Sequence, residues 1–264
     1  MAFVDSDDLL TKTALEELYP IAKKFDADVV HCEKFYRIGE NNNSPETVGL
    51  NIGKYVTEPT LISDNFEERV TGLYNFHFMW NVWSKLIRRD FLLSNEIRTI
   101  NGMAEDCFMT CCLVCSAQRY VRVPNIINFY RMLSNSHSHK QDDIQKVVHK
   151  WMQSLIDGFD CFDNFLSKRE FFKKRPDMKH FALEVWVREC CRHIQELYAK
   201  IPAWQLDAII RHELASVKDN TELTAFLFGR MNVFNLNLYQ MNAHIQKQNQ
   251  IIKNLQEQIQ QLKS

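Results

Sequence analysis

Hydrophobic residues in the first 140 positions alternate between helical and strand-like spacing. Apolar side chains recur every three or four residues, as on one face of a helix, in residues 11–25, 64–78 and 107–117. Short apolar runs typical of strands lie at 27–32 with a continuation through 35 and 36, at the start of 80–92, at 120–123 and at 126–131. Residues 39–51 are polar and predict a loop. Alternating strands and helices predict an α/β fold.

The hydrophobic pattern becomes wholly helical from residue 142 onward. Three helical patterns rich in Trp, Phe and Leu cover 142–166, 178–199 and 202–214. A more regular stretch then runs to the end of the chain. The sequence therefore predicts three parts: an α/β part at 1–140, a helical region at 141–228 and a single long helix at 229–264.

The final stretch contains a heptad pattern. Its row consists of Met231, Phe234, Leu238, Met241, Ile245, Gln248, Ile252, Leu255, Ile259 and Leu262. Steps of three and four residues over more than four repeats are typical of a coiled coil, and the polar Gln248 would set its register. The pattern predicts a homo-oligomer formed through 231–262. The alternative is a single helix that folds back onto its own domain.

Net charge, cysteine content and the lack of long apolar runs indicate which partners, metals and cell compartment to expect. The formal net charge is −1 and the sequence pI is about 6.8, so nucleic acid is not an expected partner. Cys112 and Cys115 have a Cys-x-x-Cys spacing, but no second pair completes a zinc set, and reduced core thiols are the expectation. The sequence has neither a signal-peptide pattern nor an apolar run long enough to span a membrane. We therefore expect a cytoplasmic protein, or one bound peripherally at the inner face of the membrane.

The acidic block at residues 3–8 is the first candidate site. Two apolar residues lead into Asp5, Asp7 and Asp8, as at the end of a buried strand that opens onto a metal site. Mg²⁺ and Mn²⁺ take oxygen ligands, usually one or two carboxylates plus substrate phosphate oxygens. The alternative is an N-cap, with Asp7 or Asp8 starting the following helix. These six residues alone do not separate the two interpretations.

Three later stretches carry further candidate residues. Lys85 and Arg88 lie in the aromatic and basic stretch 80–92, either as solvated charges or as a cationic wall near an anionic ligand. Glu105 and Asp106 open a helix, where they either stabilise the helix dipole or supply a general base. His137 lies in a polar stretch with a second histidine nearby. A hydrophilic surface loop explains this stretch more simply than a metal site does.

Taken together, these motifs resemble family 2 glycosyltransferases of the GT-A fold, bacterial enzymes that build surface polysaccharides. The resemblance covers residues 2–139, about half of the chain. The stretches that carry it are Phe3-Val4-Asp5-Ser6-Asp7-Asp8, Ala27-Asp28-Val29-Val30, residues 83–92, Glu105-Asp106, Asn128-Phe129-Tyr130-Arg131 and Ser136-His137-Ser138. It implies the C-terminal part of a GT-A (Rossmann-like) catalytic domain at 1–140, followed by the helical region and the coiled-coil helix.

The resemblance also implies roles for the residues. Asp7 and Asp5 would hold Mg²⁺ or Mn²⁺ against the diphosphate of a nucleotide-sugar donor, although Asp5 could instead touch the ribose. Asp106, with Glu105 as second choice, would take the proton from a glycan or lipid-linked acceptor in an inverting transfer. The candidates for contacts around diphosphate or acceptor are Lys85, Arg88, Arg131, His137 and Asp8. Asp8 could instead be a cap or a group that supports the metal ligands.

The sequence departs from the family pattern at its start. Family members carry two or three strand–helix units before the Asp-x-Asp block, and these units bind the nucleoside. Here Met1 lies directly before that block. We therefore expect the C-terminal portion of a glycosyltransferase, as a truncated gene product, a product of a misassigned start or a piece of a split protein. By itself it should bind nucleotide-sugar poorly or not at all.

Two rival functions remain at this stage. Phosphatases with an Asp-x-Asp nucleophile need a Thr or Val shortly after the second Asp, whereas Asp8, Leu9 and Leu10 follow here. A non-catalytic assembly protein would use the coiled coil as its working part and the α/β remnant as a partner surface.

Overall fold

The computed structural model describes residues 1–39, 44–49, 55–133, 144–196, 202–215 and 221–263. The predicted substrate residue His137 lies outside these ranges. The chain forms two compact units, Met1–Val217 and Lys218–Ser264. In the described part of the chain, no helix combines the length and apolar character that a membrane crossing requires.

Within the described ranges, the first unit contains eight strands, eight α-helices and a short 3-10 helix at Val82–Ser84. The strands are β1 (Leu9–Leu10), β2 (Val29–Cys32), β3 (Lys34–Gly39), β4 (Glu46–Gly49), β5 (Thr60–Leu61), β6 (Lys85–Ile87), β7 (Tyr120–Val123) and β8 (Asn128–Met132). The helices are α1 (Ala14–Lys24), α2 (Phe66–Tyr74), α3 (Arg89–Ser94), α4 (Glu105–Val114), α5 (Ile144–Ser167), α6 (Glu170–Lys174), α7 (Pro176–Glu196) and α8 (Ala203–Leu214).

The strands form two four-stranded sheets. One sheet has the order β5-β7-β2-β6, with β2 parallel to β7 and antiparallel to β6. The other has the order β1-β8-β3-β4, with β3 parallel to β8. The sequence predicts one strand from 27–32 that continues through Phe35 and Tyr36. The structure has two strands there, β2 and β3, which belong to different sheets. The chain changes sheets at Glu33, a buried residue whose carboxylate accepts the Val56 N–H at 2.8 Å and pairs with Arg122.

Strand β2 lies at the centre of the core. All four of its residues are buried, which explains its nearly continuous apolar run. Ala14 and Leu18 of α1 pack with Val30 and with residues of β7 in one cluster. This packing fixes α1 against the sheet just after the acidic block.

Two local predictions are wrong. The helix after the acidic block begins at Ala14 with Thr13 at its N-cap, and β1 lies between, so neither Asp7 nor Asp8 caps it. Residues 46–49 form β4 and not a loop, because they pair with β3 in register from Lys34 to Arg37. Pairing with a distant strand overrides the local polar composition there.

The helices after residue 142 pack onto the α/β part. Phe108 of α4 meets Phe162 of α5 and Trp186 of α7 edge-on, with ring centroids 6.0 and 5.7 Å apart. Tyr74 of α2 stacks on Phe181 of α7 at 4.3 Å. These aromatic contacts join the helical region to the sheets, so both belong to the same compact unit up to Val217.

The second unit consists of α9 (Thr221–Lys263). The apolar heptad residues whose side chains are described are all exposed. They are Met231, Leu238, Met241, Ile245, Ile252 and Leu255, with exposures between 37% and 54%. A row of exposed apolar side chains on one long helix is typical of a surface that binds another protein segment.

Candidate active site

The acidic block forms a turn that is tied to β8. The Asp8 N–H donates to the Asp5 carbonyl at 3.1 Å. Asp8 itself is buried, and its carboxylate accepts the Asn128 side-chain amide at 3.1 Å and the Arg131 N–H at 2.9 Å. With both carboxylate oxygens engaged by β8, Asp8 anchors the turn. This geometry favours a structural role for Asp8 over a substrate contact.

The other carboxylates of the turn lie close to the start of α4. The pKa of Asp5 is raised, first by partial desolvation and then by repulsion from Asp8, Asp7 and Glu105. The fold therefore brings Asp5 of the turn near Glu105, and we call Asp5, its neighbour Asp7 and Glu105 the acidic cluster. In the described residues no three His, Cys, Asp or Glu side chains converge as a complete metal site. Two carboxylates nevertheless fit a hard cation that takes its other ligands from phosphate and water.

Asp106 is the most perturbed carboxylate of the site. It is half-buried in the first turn of α4, and its Oδ2 accepts the Val82 N–H at 3.2 Å. Desolvation, with smaller contributions from Glu105 and Asp5, raises its pKa to about 6, while the Val82 hydrogen bond and the charge of Lys85 oppose the shift. A carboxylate with this pKa is a stronger base than an ordinary aspartate and is still deprotonated at neutral pH.

Lys85 is fully buried next to this carboxylate. Its Nζ donates to the carbonyls of Met79 and Asn81, both at 2.7 Å. Desolvation lowers its pKa to about 7, and the Asp106 carboxylate opposes the shift. Lys85 is therefore neither a solvated charge nor part of an exposed cationic wall. It holds the 79–84 loop, whose Val82 N–H in turn holds Asp106.

The loop before α4 has an unusual backbone. Gly102 has φ +135° and Ala104 has φ +63°, in the left-handed region that costs a residue with a Cβ roughly 1 kcal/mol. A Cβ at Gly102 would lie 2.3 Å from Ser154 Oγ on α5. The same hydroxyl accepts the Met103 N–H at 2.7 Å. Helix α5 therefore fixes the loop that presents Glu105 and Asp106.

The basic residues predicted to contact substrate are dispersed. The Arg88 guanidinium pairs with the Asp26 carboxylate at 2.5 Å, and the Arg88 N–H donates to the Asp28 carbonyl. Since Lys85 is paired with His31 at the other end of β2, Arg88 lies roughly 10 Å further along the strand. Lys85 and Arg88 therefore do not lie side by side, and a contact of Arg88 with diphosphate or acceptor stays a prediction. Arg131 is exposed beside Asp8 and stays a candidate.

An aromatic group beside the candidate base was missed from the sequence. Trp83 stacks on Tyr130 with ring centroids 5.9 Å apart, and Phe35 meets Trp83 edge-on at 5.0 Å. Trp83 directly follows Val82, the donor to Asp106. The three rings come from segments that are distant in sequence, so only the paired sheets bring them together. They form an aromatic group that begins one residue after the hydrogen-bond donor to Asp106.

The charge of Lys85 predicts how Asp106 titrates. We expect carbon-detected NMR of the side-chain carboxyl to give a pKa of about 6 for Asp106. Lys85→Met should raise it further, because a buried positive charge that favours the carboxylate is lost. Lys168→Met removes an exposed lysine paired with Glu96 and should leave it unchanged. An Asp106 pKa near the ordinary value of about 3.9 would contradict this electrostatic account.

Comparisons with known proteins give a relative in sequence and solved structures of similar fold. No known family model matches the sequence. The chain is 32% identical over 191 residues to a cholesterol galactosyltransferase of Borreliella burgdorferi, over 69% of this chain and 49% of that protein. The chain thus spans about half the length of this curated relative.

Solved structures with a similar fold include two of TarS from S. aureus. The structure of S. aureus TarS 1-349 in complex with UDP-GlcNAc matches with a TM-score of 0.52 at 14% identity, over 81% of this chain and 55% of that chain. Another TarS 1-349 structure matches with a TM-score of 0.51, over 81% of this chain and 53% of the other. The chain is therefore glycosyltransferase-like by its similarity to the named galactosyltransferase, and its fold resembles that of TarS.

Proposed function

We propose that this chain carries the catalytic base and the metal-binding carboxylates of an inverting family 2 glycosyltransferase of the GT-A fold. The observation that carries the proposal is Asp106, a carboxylate with a pKa of about 6 held beside the acidic turn by a fixed loop. Raised basicity next to a cation-binding cluster is what sugar transfer to a hydroxyl group requires.

The donor in this proposal is a nucleotide-sugar. Asp7 and Asp5 would hold Mg²⁺ or Mn²⁺, and the bound cation supplies charge neutralisation for the diphosphate leaving group. The TarS structure in complex with UDP-GlcNAc makes UDP-sugars the first donors to test. The name of the Borreliella relative, a cholesterol galactosyltransferase, points to galactose as donor sugar and to lipid acceptors beside glycans in surface polysaccharide synthesis. A lipid-linked acceptor would place the protein at the cytoplasmic face of the membrane.

The chain's residues would act in one displacement. The Asp106 carboxylate accepts the proton of an acceptor hydroxyl as that oxygen forms a bond to the anomeric carbon. The bond from the anomeric carbon to the diphosphate oxygen breaks in the same step, and the nucleoside diphosphate leaves with the bonding electron pair. A single attack from the opposite face inverts the configuration. Lys85 keeps Val82 in place to orient the base, and Trp83 would shield it from bulk water.

Asp106→Asn tests the base. The amide cannot take the proton, so we expect sugar transfer to fall at least about 100-fold while donor affinity is retained. The assay uses the full-length protein that the gene encodes, a UDP-[¹⁴C]sugar panel and glycan and sterol acceptors. Asp157→Asn, an exposed aspartate on α5, is the matched control. Because the base acts when deprotonated, the wild-type rate should rise about tenfold per pH unit up to pH about 6 and then level off. Full activity of Asp106→Asn would refute its role.

Removal of divalent cations tests the proposed metal. Transfer should be lost in EDTA and return with Mn²⁺ or Mg²⁺. Asp7→Asn should raise the cation concentration needed for half-maximal rate at least several-fold, because one of two proposed carboxylate ligands loses its charge. Asp26→Asn, which changes a carboxylate paired with Arg88, should not affect it. Activity that survives EDTA would exclude metal dependence.

A second candidate function is assembly through α9. The exposed apolar heptad row favours it, because a parallel pair of such helices would bury the row in a coiled-coil seam. In this alternative the α/β unit would be a non-catalytic partner surface. The two functions are also compatible with each other in one homo-oligomeric enzyme.

Mass in solution distinguishes a self-associating helix from a solitary one. Ile245→Asp puts a charge into the proposed seam and should reduce an oligomer to monomers in light-scattering measurements. Gln246→Asp adds the same charge one residue away, outside the row, and should keep the oligomer. If the unmodified protein is monomeric, α9 does not self-associate.

A further inference from the structure

A cavity lies on the side of α4 that faces away from the candidate base. Its volume is about 360 Å³, within the usual range for small-molecule sites. Phe108 and Cys112 of α4 line it, and its other lining residues come from within 95–100 and 161–169. At about 100° per residue, the two α4 positions lie about 200° and 240° around the helix from Asp106. This α4–α5 cavity is therefore a site separate from the acidic cluster.

The lining of the cavity carries more positive than negative charge. Arg98, Lys168 and Arg169 contribute three cations, and Glu96 contributes the one carboxylate. Lys168 pairs with Glu96 at 2.7 Å, but both side chains are about two-thirds exposed, and such pairs contribute little to stability. The lining therefore has two positive charges in excess.

Arg169 is the cation of the lining that most needs an anion. It is half-buried, and its guanidinium lies 3.1 Å from the centroid of the Phe165 ring. Desolvation lowers its pKa, and no carboxylate of the described residues lies within ion-pair distance of it. Nη1 donates to the Phe165 carbonyl and Nη2 to the Asn95 carbonyl, which uses two of the five N–H donors. The Nε–H has no acceptor among the described residues.

A second buried arginine shows how such a charge is satisfied within the protein. Arg69 also lacks a carboxylate within ion-pair distance among the described residues. Its Nε, Nη1 and Nη2 donate to the carbonyls of Ser63, Ala117 and Gln118. All three nitrogens of Arg69 therefore have acceptors, whereas Arg169 has a nitrogen without one and lines a cavity. Because buried charges are normally paired, this difference points to an anion as the occupant of the cavity.

The remaining lining residues indicate what the anion is attached to. Ile100, Phe108 and Phe165 are apolar, so the ligand has an apolar body beside its charged group. A phosphate monoester carries nearly two negative charges at neutral pH, which matches the excess charge of the lining. Its oxygens also fit the planar fork of a guanidinium. A carboxylate has only one charge and would neutralise the lining only in part.

We propose that the α4–α5 cavity binds a phosphate monoester carried on an apolar body. Arg98 and Arg169 would bind the phosphate oxygens, and Phe108 and Phe165 would contact the body. This site does not depend on the proposed transferase activity. Two sources share the required chemistry: a small soluble ester, and the headgroup of phosphatidic acid in a membrane.

Calorimetric titration of the full-length protein with phenyl phosphate tests the site. EDTA is present, so that no divalent cation can bring the phosphate to the acidic cluster. We expect saturable binding, and benzoate, which has the same ring but one charge, should bind at least about threefold more weakly. Benzyl alcohol, which is uncharged, should not bind measurably. If benzoate or benzyl alcohol binds as tightly as phenyl phosphate, the phosphate assignment is wrong.

Substitution of the arginines locates the binding. Arg98→Gln removes an exposed charge and should weaken phenyl phosphate binding at least about fivefold, because a charge-assisted contact is lost. Arg169→Lys keeps the charge but loses the fork, and should also weaken it. Arg211→Gln, which changes an exposed arginine paired with Asp207 on α8, is the matched control and should have no effect. Unchanged affinity in Arg98→Gln would refute the site, whether or not Arg169→Lys folds.

Vesicle sedimentation separates the two sources of phosphate. If the source is a lipid, vesicles of phosphatidylcholine with phosphatidic acid should bind the unmodified protein and Arg211→Gln, and should bind Arg98→Gln much less. Vesicles of phosphatidylcholine alone should not bind. Arginine-dependent binding of phenyl phosphate without vesicle binding assigns a soluble ester. If neither probe binds, or if the binding of both is independent of Arg98, the proposal is overturned.

Discussion

The candidate site depends on a buried ammonium group. Lys85 has no access to solvent, and burying a charge is costly unless hydrogen bonds and an opposite charge compensate it. Two carbonyls of the 79–84 loop and the nearby Asp106 carboxylate supply that compensation. The same arrangement fixes Val82, the only described hydrogen-bond donor to Asp106. The position of the base and the burial of the lysine are therefore consequences of one set of contacts.

The acidic turn is also held by a buried charged side chain, Asp8, which bonds to β8 of the other sheet. Both carboxylate oxygens of Asp8 accept hydrogen bonds, one from the Asn128 side chain and one from the Arg131 backbone. Asp5 and Asp7 are therefore the carboxylates of the turn that remain for the proposed cation. Lys85 and Asp8 are thus both buried charged side chains that fix a loop at the end of a strand. The chain passes from one sheet to the other at Glu33. Strand β8 of one sheet holds Asp8, and the segment before β6 of the other sheet holds Asp106.

Much of the secondary structure follows from local pattern. Strand β7 was predicted at its observed bounds, and helices α4, α5 and α8 differ from prediction by a few residues. These segments are buried on the expected faces, so local periodicity reports their packing. Strand β4 could not be predicted, since its polar residues become a strand only through pairing with β3. The change of sheet at Glu33 has the same origin, because an apolar run does not tell which neighbours each half will find.

The candidate site was predictable in its residue types and not in its geometry. Asp5, Asp7, Glu105 and Asp106 are candidates from the sequence motifs, and the fold brings Asp5 near Glu105 and Asp106. Their sequence could not distinguish a solvated Lys85 from a buried one, because both fit an aromatic and basic stretch. Nor could it assign Arg88 to the opposite end of β2, or assemble Phe35, Trp83 and Tyr130 into one group. Each of these depends on strand register, which long-range pairing decides.

The contact between Gly102, Met103 and Ser154 has a consequence for how such proteins can be divided or recombined. Sequence resemblance alone would end a catalytic domain near residue 140. The hydroxyl that orients the base loop, however, belongs to a helix beyond that boundary. A chimera that joins this α/β part to a foreign helical region would inherit the base without its support. The unit of exchange is therefore the whole of residues 1–217, and a helix that looks like an appendage is part of what evolution must carry along with the chemistry.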